Sequence, residues 1–311
     1  MALTLVEASK IAMNRDEIIK ATVMELYAKN SDLMQFMPFE SISGNAITFN
    51  REKTLPTVAF RGVNEAYAEG TGQMDRITES LSIGGGDVDV DTFIVKTSGM
   101  DQRSVQEAMK IKALSLSLTS TFVKGSVITD PKSFDGFQTR ISGDQKICAG
   151  ASATTAAALS LTKLDELIDA VDDPTHLLMN KATRRRLTAA ARTSTVGGYI
   201  TYSVDAFGRR ITQYNDLPIL IADKDNTNTD IMPFTETNAA GNAISTSIYC
   251  LSFAENGAMG LQNDTMDVRD LGEIDTQPVY RTRIEWFVTL SIMRPKAAAR
   301  LHSINSGAAT A

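Results

Sequence analysis

The stretch DQRSVQEAMKIKALSLSLTSTFVKG, residues 101–125, is the one from which the rest of this chain can be read. Asp101 offers a capping oxygen, no proline or glycine interrupts the residues that follow, and Gly125 stands where a helix would stop. Val105, Ala108, Met109, Ala113, Leu116 and Phe122 are read as its apolar face. At 1.5 Å per residue such a helix runs about 36 Å, enough to serve as the spine of an elongated, flat subunit.

Working back from the spine, Asp87–Lys96 reads as a strand in which Val88 and Val90 alternate with Asp87, Asp89 and Asp91. Three glycines, Gly84, Gly85 and Gly86, precede it. They are read as a soft joint, because glycine reaches backbone angles closed to other residues, and they are the hinge candidates. Ile47–Thr54 alternates until Pro56, Thr57–Gln73 is polar and rich in glycine, and Ile77, Leu81 and Ile83 resume a two-residue rhythm. The whole predicts a long hairpin with a broad tip. Asn14 with Glu17 reads as a capping box that opens a helix over Arg15–Lys29. Its stripe of Ile18, Ile19, Val23, Leu26 and Tyr27 needs a partner surface. Leu33–Phe39 follows with Phe36, Pro38 and Phe39, and is expected to be an extended arm, since Pro38 disfavours helix.

Working forward, a Gly/Ala/Ser/Thr-rich stretch covers 143–158. Short helices are expected over Leu164–Val171 and Lys181–Arg192, and strands at Leu217–Ala222 and Ser247–Phe253. This is an α/β middle section. Val279–Leu301 is a strand-like apolar run holding the only tryptophan, Trp286, and no repeat of twenty to fifty residues occurs.

A chain of 311 residues with 43% hydrophobic and 22% charged residues can bury a large core. Its formal charge of −6 argues against a surface that coats a polyanion. Two cysteines, Cys148 and Cys250, lack any Cys/His cluster, which removes zinc and disulfide frameworks. Glu7 and Lys10 interrupt what would be the core of a leader, and no later run has eighteen uncharged apolar residues. The expectation is a soluble, non-secreted protein with no membrane contact.

The motifs that carry chemistry are thin. Asp87, Asp89 and Asp91 resemble the start of a calcium loop, but Thr92 and Ser98 stand where the required glycine and glutamate would be, so a solvated strand face is expected. Arg184, Arg185 and Arg186 are consecutive and point around a helix rather than along one face, which favours solvation over phosphate binding. Asn263-Asp264-Thr265 is read as a chance glycosylation triplet. His176 has no Cys or Ser beside it, and GxSxG, Walker, HExxH and GxGxxG sequences are absent. No catalytic residue, cofactor or metal is expected.

Several segments, in order along the chain, resemble the major capsid proteins of tailed bacteriophages. These are Pro56-Thr57-Val58-Ala59-Phe60-Arg61, the run from Phe122 to Gly125, and Asp130-Pro131-Lys132-Ser133-Phe134-Asp135-Gly136-Phe137. Met179-Asn180 with Arg184 to Leu187, Tyr214-Asn215-Asp216-Leu217-Pro218, Gly260-Leu261-Gln262, Asp267-Val268-Arg269-Asp270-Leu271-Gly272 and the stretch from Pro278 to Trp286 complete the set. The resemblance implies an α+β chain with the Hong Kong ninety-seven capsid fold. The N-terminal arm would be 1–45, the extended loop 46–86, the peripheral domain 87–150 with 262–305, the axial domain 151–261 and the C-terminal tail 306–311.

It further implies a structural protein that self-assembles as hexamers and pentamers into an icosahedral virion capsid in the host bacterial cytoplasm. That capsid would enclose double-stranded DNA without sequence-specific binding. The chain lacks a long extension before the arm, so a separate scaffolding protein is expected, together with a portal and, optionally, a decoration protein. Ile18, Ile19, Val23, Phe36, Phe39, Phe60, Arg61 and Tyr67 are the inter-subunit contact candidates. Lys53, the only lysine of the loop, lies off the tip and has no nameable asparagine partner, so a non-covalent shell is expected. An encapsulin-type bacterial compartment, which shares the fold, is the alternative; an enzyme of unrecognised type is a third class that no motif supports.

Overall fold

The computed structural model describes residues 3–14, 18–97, 102–150, 156–190, 192, 200–204, 208, 210–238, 241–264 and 266–310. Its axis is the predicted spine helix, Gln102–Lys124, about 35 Å long. The expected cap, Asp101, lies outside the described residues, as do Glu17 and Ser98. The buried face differs from the predicted one: Ile111, Ser115, Leu118, Thr119, Phe122 and Val123 are buried, whereas Val105 and Met109 are 43% and 61% exposed. Buried hydroxyls caused the misreading. Ser115 Oγ donates to the Tyr27 carbonyl at 3.1 Å and Thr119 Oγ1 meets Ser31 Oγ at 2.7 Å, so this polar face binds backbone and side chains of the N-terminal segment.

That segment is therefore part of the core. Its first helix, Leu5–Asn14, opens with a capping box at Thr4 and Glu7, each backbone N–H donating to the other's side chain. Asn14 ends this helix rather than starting the next, Ile18–Asn30. Leu33–Phe39 is not an extended arm either. Ser31 Oγ caps a short helix, Asp32–Phe36, and Pro38–Ser41 then joins a sheet. Val23, Met24, Tyr27, Leu33, Met34, Met37 and Phe39 are all buried.

A six-stranded sheet lies against the spine, built on the fourteen-residue strand Val279–Ile292. Ser82–Asp91 pairs along one side of it, and Asp267–Glu273 and Ala258–Gln262 along the other. Pro38–Ser41 is parallel to Ala258–Gln262, with Leu3–Thr4 outermost. Trp286 is the hub of the core: its ring meets Tyr27 edge-on at 6.1 Å and Phe39 at 4.9 Å, and its Nε1 donates to Gln262 Oε1 at 2.9 Å. Phe39 also depends on Gly260, where an added Cβ would stand 2.3 Å from its ring.

The strand expected over Asp87–Lys96 stops at Asp91, whose carboxylate accepts from the Phe93 N–H at 2.7 Å and turns the chain into a helix, Thr92–Thr97. The apolar run 279–301 is two strands, because Pro295 falls in a turn between Val279–Ile292 and Ala298–Ile304. The second of these belongs to an eight-stranded sheet. Its order is Lys146–Cys148, Ala298–Ile304, Ala243–Leu251, His176–Met179, Leu217–Ile221, Arg210–Tyr214 and Ile200–Val204, with Glu236–Thr237 beside Ala243–Leu251. Helices Leu161–Asp169 and Lys181–Ala190 fall where the sequence placed them. Lys146–Cys148 and Ala298–Ile304, expected with the peripheral unit, thus pair in the second sheet, while Pro38–Ser41 and Ala258–Gln262 pair in the first.

The predicted hairpin is Ala46–Thr54 paired with Gln73–Ser80, a separate two-stranded sheet. Its nine-residue strand is about 30 Å long, and Arg51 and Lys53 near its far end line a cleft with Ser142, Asp144 and Lys296 of the body.

Candidate subunit-contact surface

The hairpin tip, residues 55–72, has no regular structure. Its large apolar side chains face solvent: Leu55, Val58, Phe60, Val63 and Tyr67 are each at least 70% exposed. Of the predicted contact residues, Phe60, Arg61 and Tyr67 are here, and the Arg61 guanidinium stacks over the Tyr67 ring at 4.9 Å. The sequence reading did not name Leu55, Val58 and Val63 as contacts, although they lie in the same polar, glycine-bearing tip as Phe60.

Three other contact candidates are corrected. Val23 and Phe39 are buried in the subunit's own core, and Phe36 packs against that core with its ring 5.0 Å from His176. The Pro38 break that suggested an arm in fact starts a short strand in the central sheet. Ile18 and Ile19 begin the helix Ile18–Asn30, but their side chains lie outside the described residues.

The hairpin is tied to the body at its base. Arg140 donates to both carboxylate oxygens of Glu79, at 2.5 and 2.7 Å, and its Nε donates to the Asp135 carbonyl at 2.7 Å. Both side chains are largely buried, so this bidentate pair carries more weight than a surface ion pair. Beside it, Ile42, Met259 and Leu261 form a small apolar cluster with Ile47 and Leu81.

Gly84, Gly85 and Gly86, read as a soft joint, are in strand conformation rather than in a loop. They sit inside Ser82–Asp91, paired in continuous register with Trp286, Glu285 and Ile284. Proximity explains them. A Cβ on Gly85 would stand 2.3 Å from the Ile284 carbonyl, and one on Gly84 3.3 Å from Leu118 of the spine. The aspartates that follow are ion-paired: Asp87 receives two hydrogen bonds from Arg283, and Asp89 two from Arg281. These bonds hold both carboxyls below their usual range.

The spine's last residue reaches a buried ionic group in the second sheet. Lys124 Nζ lies 3.6 Å from Glu236, which also receives Arg300 at 3.2 Å and the Ser247 hydroxyl at 2.5 Å. Burial pulls the Lys124 pKa down against the pull of Glu236. The arginine triplet is helical as expected, with Arg186 stacked on Phe234 at 4.3 Å. His176 lies between the rings of Phe36 and Phe253, and burial pushes its pKa down to about 4. It is a packing residue whose Nδ1 shares a hydrogen bond with the Thr175 hydroxyl at 2.9 Å. Burial likewise pushes the Cys250 thiol up to about 12. Among the described residues no cluster of ligating side chains could hold a metal ion, and no helix is long and apolar enough to cross a membrane.

Comparison with known proteins places these surfaces in context. Residues 14–166 match the model of a family described as major capsid protein GP7. No curated protein sequence matches the chain. Its fold is similar to that of the SrpI encapsulin of Synechococcus elongatus PCC 7942, at a TM-score of 0.63 and 16% identity over 90% of this chain and 89% of that one. It is similar to the capsid of a native GTA particle, at a TM-score of 0.62 and 17% identity over 88% and 90%. A structure from Mycobacterium phage Bobi gives a TM-score of 0.60 and 10% identity over 90% and 91%.

Proposed function

From the match of residues 14–166 to the major capsid protein GP7 family and from the capsid fold of the chain, we propose that it self-assembles into hexamers and pentamers of an icosahedral shell around double-stranded DNA. The observation that carries this reading is the hairpin tip. Five large apolar side chains are held out in solvent at the end of a two-stranded arm. Covering each on a neighbouring copy contributes about 1.5–3 kcal/mol before ordering costs, and symmetry repeats that gain at every subunit until the shell closes.

The function needs no turnover, in keeping with a family of structural proteins. A net charge of −6 suits a container that encloses DNA without gripping its phosphates. A separate scaffolding protein and a portal would act as helpers during assembly in the bacterial cytoplasm, and a decoration protein would bind only the finished shell. We assign the hairpin Ala46–Ser80 as the extended loop, the spine with the sheet built on Val279–Ile292 as the peripheral unit, and the eight-stranded sheet with its helices as the axial unit. The encapsulin likeness supports a second reading, a compartment that holds protein cargo.

Electron microscopy of the purified protein tests the proposal. Closed icosahedral particles are expected, with DNA inside when they come from infected or lysogenic cells. Particles filled with one enzyme would favour the compartment, and a stable monomer across concentration and salt would refute both.

A further inference from the structure

On the face of the hairpin turned towards the body, alternate residues change from apolar to cationic. Ile47 packs with Ile42 and Leu261 at the base, and Arg51 and Lys53 follow on the same side of the strand. Across from them lie the segment 140–145, which follows the spine, and the turn Pro295–Ala297, close to which the strand Ala46–Thr54 passes. Between these walls is a cleft of about 590 Å³. Its charges are unbalanced. Arg140 is engaged by Glu79, and Lys53 meets Asp75 at 3.3 Å in a half-exposed pair that water screens. The side chains of Arg51, on the hairpin wall, and Lys296, on the body wall, have no ionic or hydrogen-bonding partner among the described residues, against a single unpaired acid of the lining, Asp144. The hydroxyl of Ser142, also in the lining, makes no capping bond.

We propose that this cleft binds a small phosphoanion such as pyrophosphate, held between Arg51 of the hairpin and Lys296 of the body. The Arg51 guanidinium offers a planar fork of N–H donors that matches two phosphoryl oxygens, Lys296 supplies a point charge from the opposite wall, and Ser142 Oγ adds a neutral donor. A lone carboxylate has two acceptor oxygens in one plane and satisfies one wall. A phosphoanion has acceptors pointing in several directions and more than one negative charge, so it satisfies both. Touching both walls, the anion ties the hairpin to the body at a second place, farther out than the Arg140–Glu79 pair at the base. Its occupancy therefore restrains the hairpin about its base in proportion to how tightly it binds the closed cleft.

Isothermal titration calorimetry of pyrophosphate into the dilute, unassembled subunit at low salt tests the site, separately from the shell-forming reading. One-site binding that weakens as salt rises is expected. Arg51→Gln and Lys296→Gln should each lower the affinity by about tenfold or more, with the melting temperature unchanged because neither side chain has a partner to lose. Lys112→Gln, which removes an exposed lysine of the spine outside the cleft, should bind as the parent does. No heat from the parent, or a loss confined to one of the two cleft variants, overturns the inference. So does tighter binding of a short single-stranded oligonucleotide than of pyrophosphate, which would make the cleft a nucleic-acid site. Amide hydrogen exchange gives the second readout. Pyrophosphate should slow exchange in Ala46–Thr54 and Gln73–Ser80 of the parent but not of Arg51→Gln, and equal rates with and without the anion in the parent refute the tie between hairpin and body.

Discussion

Replacing Phe39 by alanine separates an N-terminal segment that belongs to the core from one that serves only to bind neighbours. Phe39 is 2% exposed, lies 4.9 Å from Trp286 and 6.2 Å from Phe122 between ring centroids, and rests against the bare Cα of Gly260. Truncating a ring so enclosed costs about 3–5 kcal/mol, the sum of lost transfer energy and an unfilled cavity. With an unfolding entropy of about 2.1 cal/mol/K per residue, the melting temperature of this chain should fall by roughly 5–8 °C. The assay is thermal unfolding of the dilute, unassembled subunit, followed by tryptophan fluorescence, because Trp286 reports on the same cluster. Phe60→Ala is the control: it should leave the subunit midpoint unchanged and impair assembly. If Phe39→Ala keeps the melting temperature of the subunit at the parent's value and loses only assembly, the segment is an arm and the packing argument is wrong.

Acid should weaken the fold through His176. Its folded pKa is about 4 against an ordinary 6.5, so the unfolded chain binds more protons in that interval. Stability is therefore full above pH 6.5 and is lost as pH falls towards 4, by about 3 kcal/mol at most; His176→Phe should flatten this part of the pH–stability curve, and an unchanged curve would clear His176. Glu79→Gln breaks the pair with Arg140 and should cost about 3 kcal/mol locally, seen as faster proteolysis of the hairpin with the spine's amide protection intact. Gly85→Ala should destabilise the subunit by about 1–3 kcal/mol through collision with the Ile284 carbonyl; a variant of parental stability would revive a flexible joint at this position.

The spine helix and hairpin were legible because each carries its own punctuation: Gly125 after one, and Pro56 with the tip glycines in the other. Along the spine the apolar periodicity misled at one end. Val105 and Met109 have the right spacing but no facing element among the described residues to bury them, whereas Ser115 and Thr119 are buried because their hydroxyls find Tyr27 and Ser31. Such pairing joins residues 88 positions apart and leaves no local trace. The N-terminal segment failed for the same reason, since Tyr27 and Phe39 owe their burial to Trp286 near the other end of the chain. Gly84–Gly86 shows that a glycine run has two meanings, freedom and closeness. Only the neighbour at 2.3 Å decides between them. Of the contact surface, Phe60, Arg61 and Tyr67 were readable from the tip, while the cleft required knowing that Arg51 and Lys296, far apart in sequence, line one space.

The two strands of the run 279–304 belong to different sheets yet are consecutive, with only Met293–Ala297 between them. As a mechanical part, the subunit thus has a continuous covalent tie from one sheet to the other. A load applied along this tie meets the ladders of Val279–Ile292 lengthwise, so many hydrogen bonds share it at once instead of opening in turn like a zip. The second anchor is of the same kind, because Ala298–Ile304 is held between Ala243–Leu251 and Lys146–Cys148. A wall made of such units would resist outward pressure along this direction through shear of its ladders, and would yield first across it.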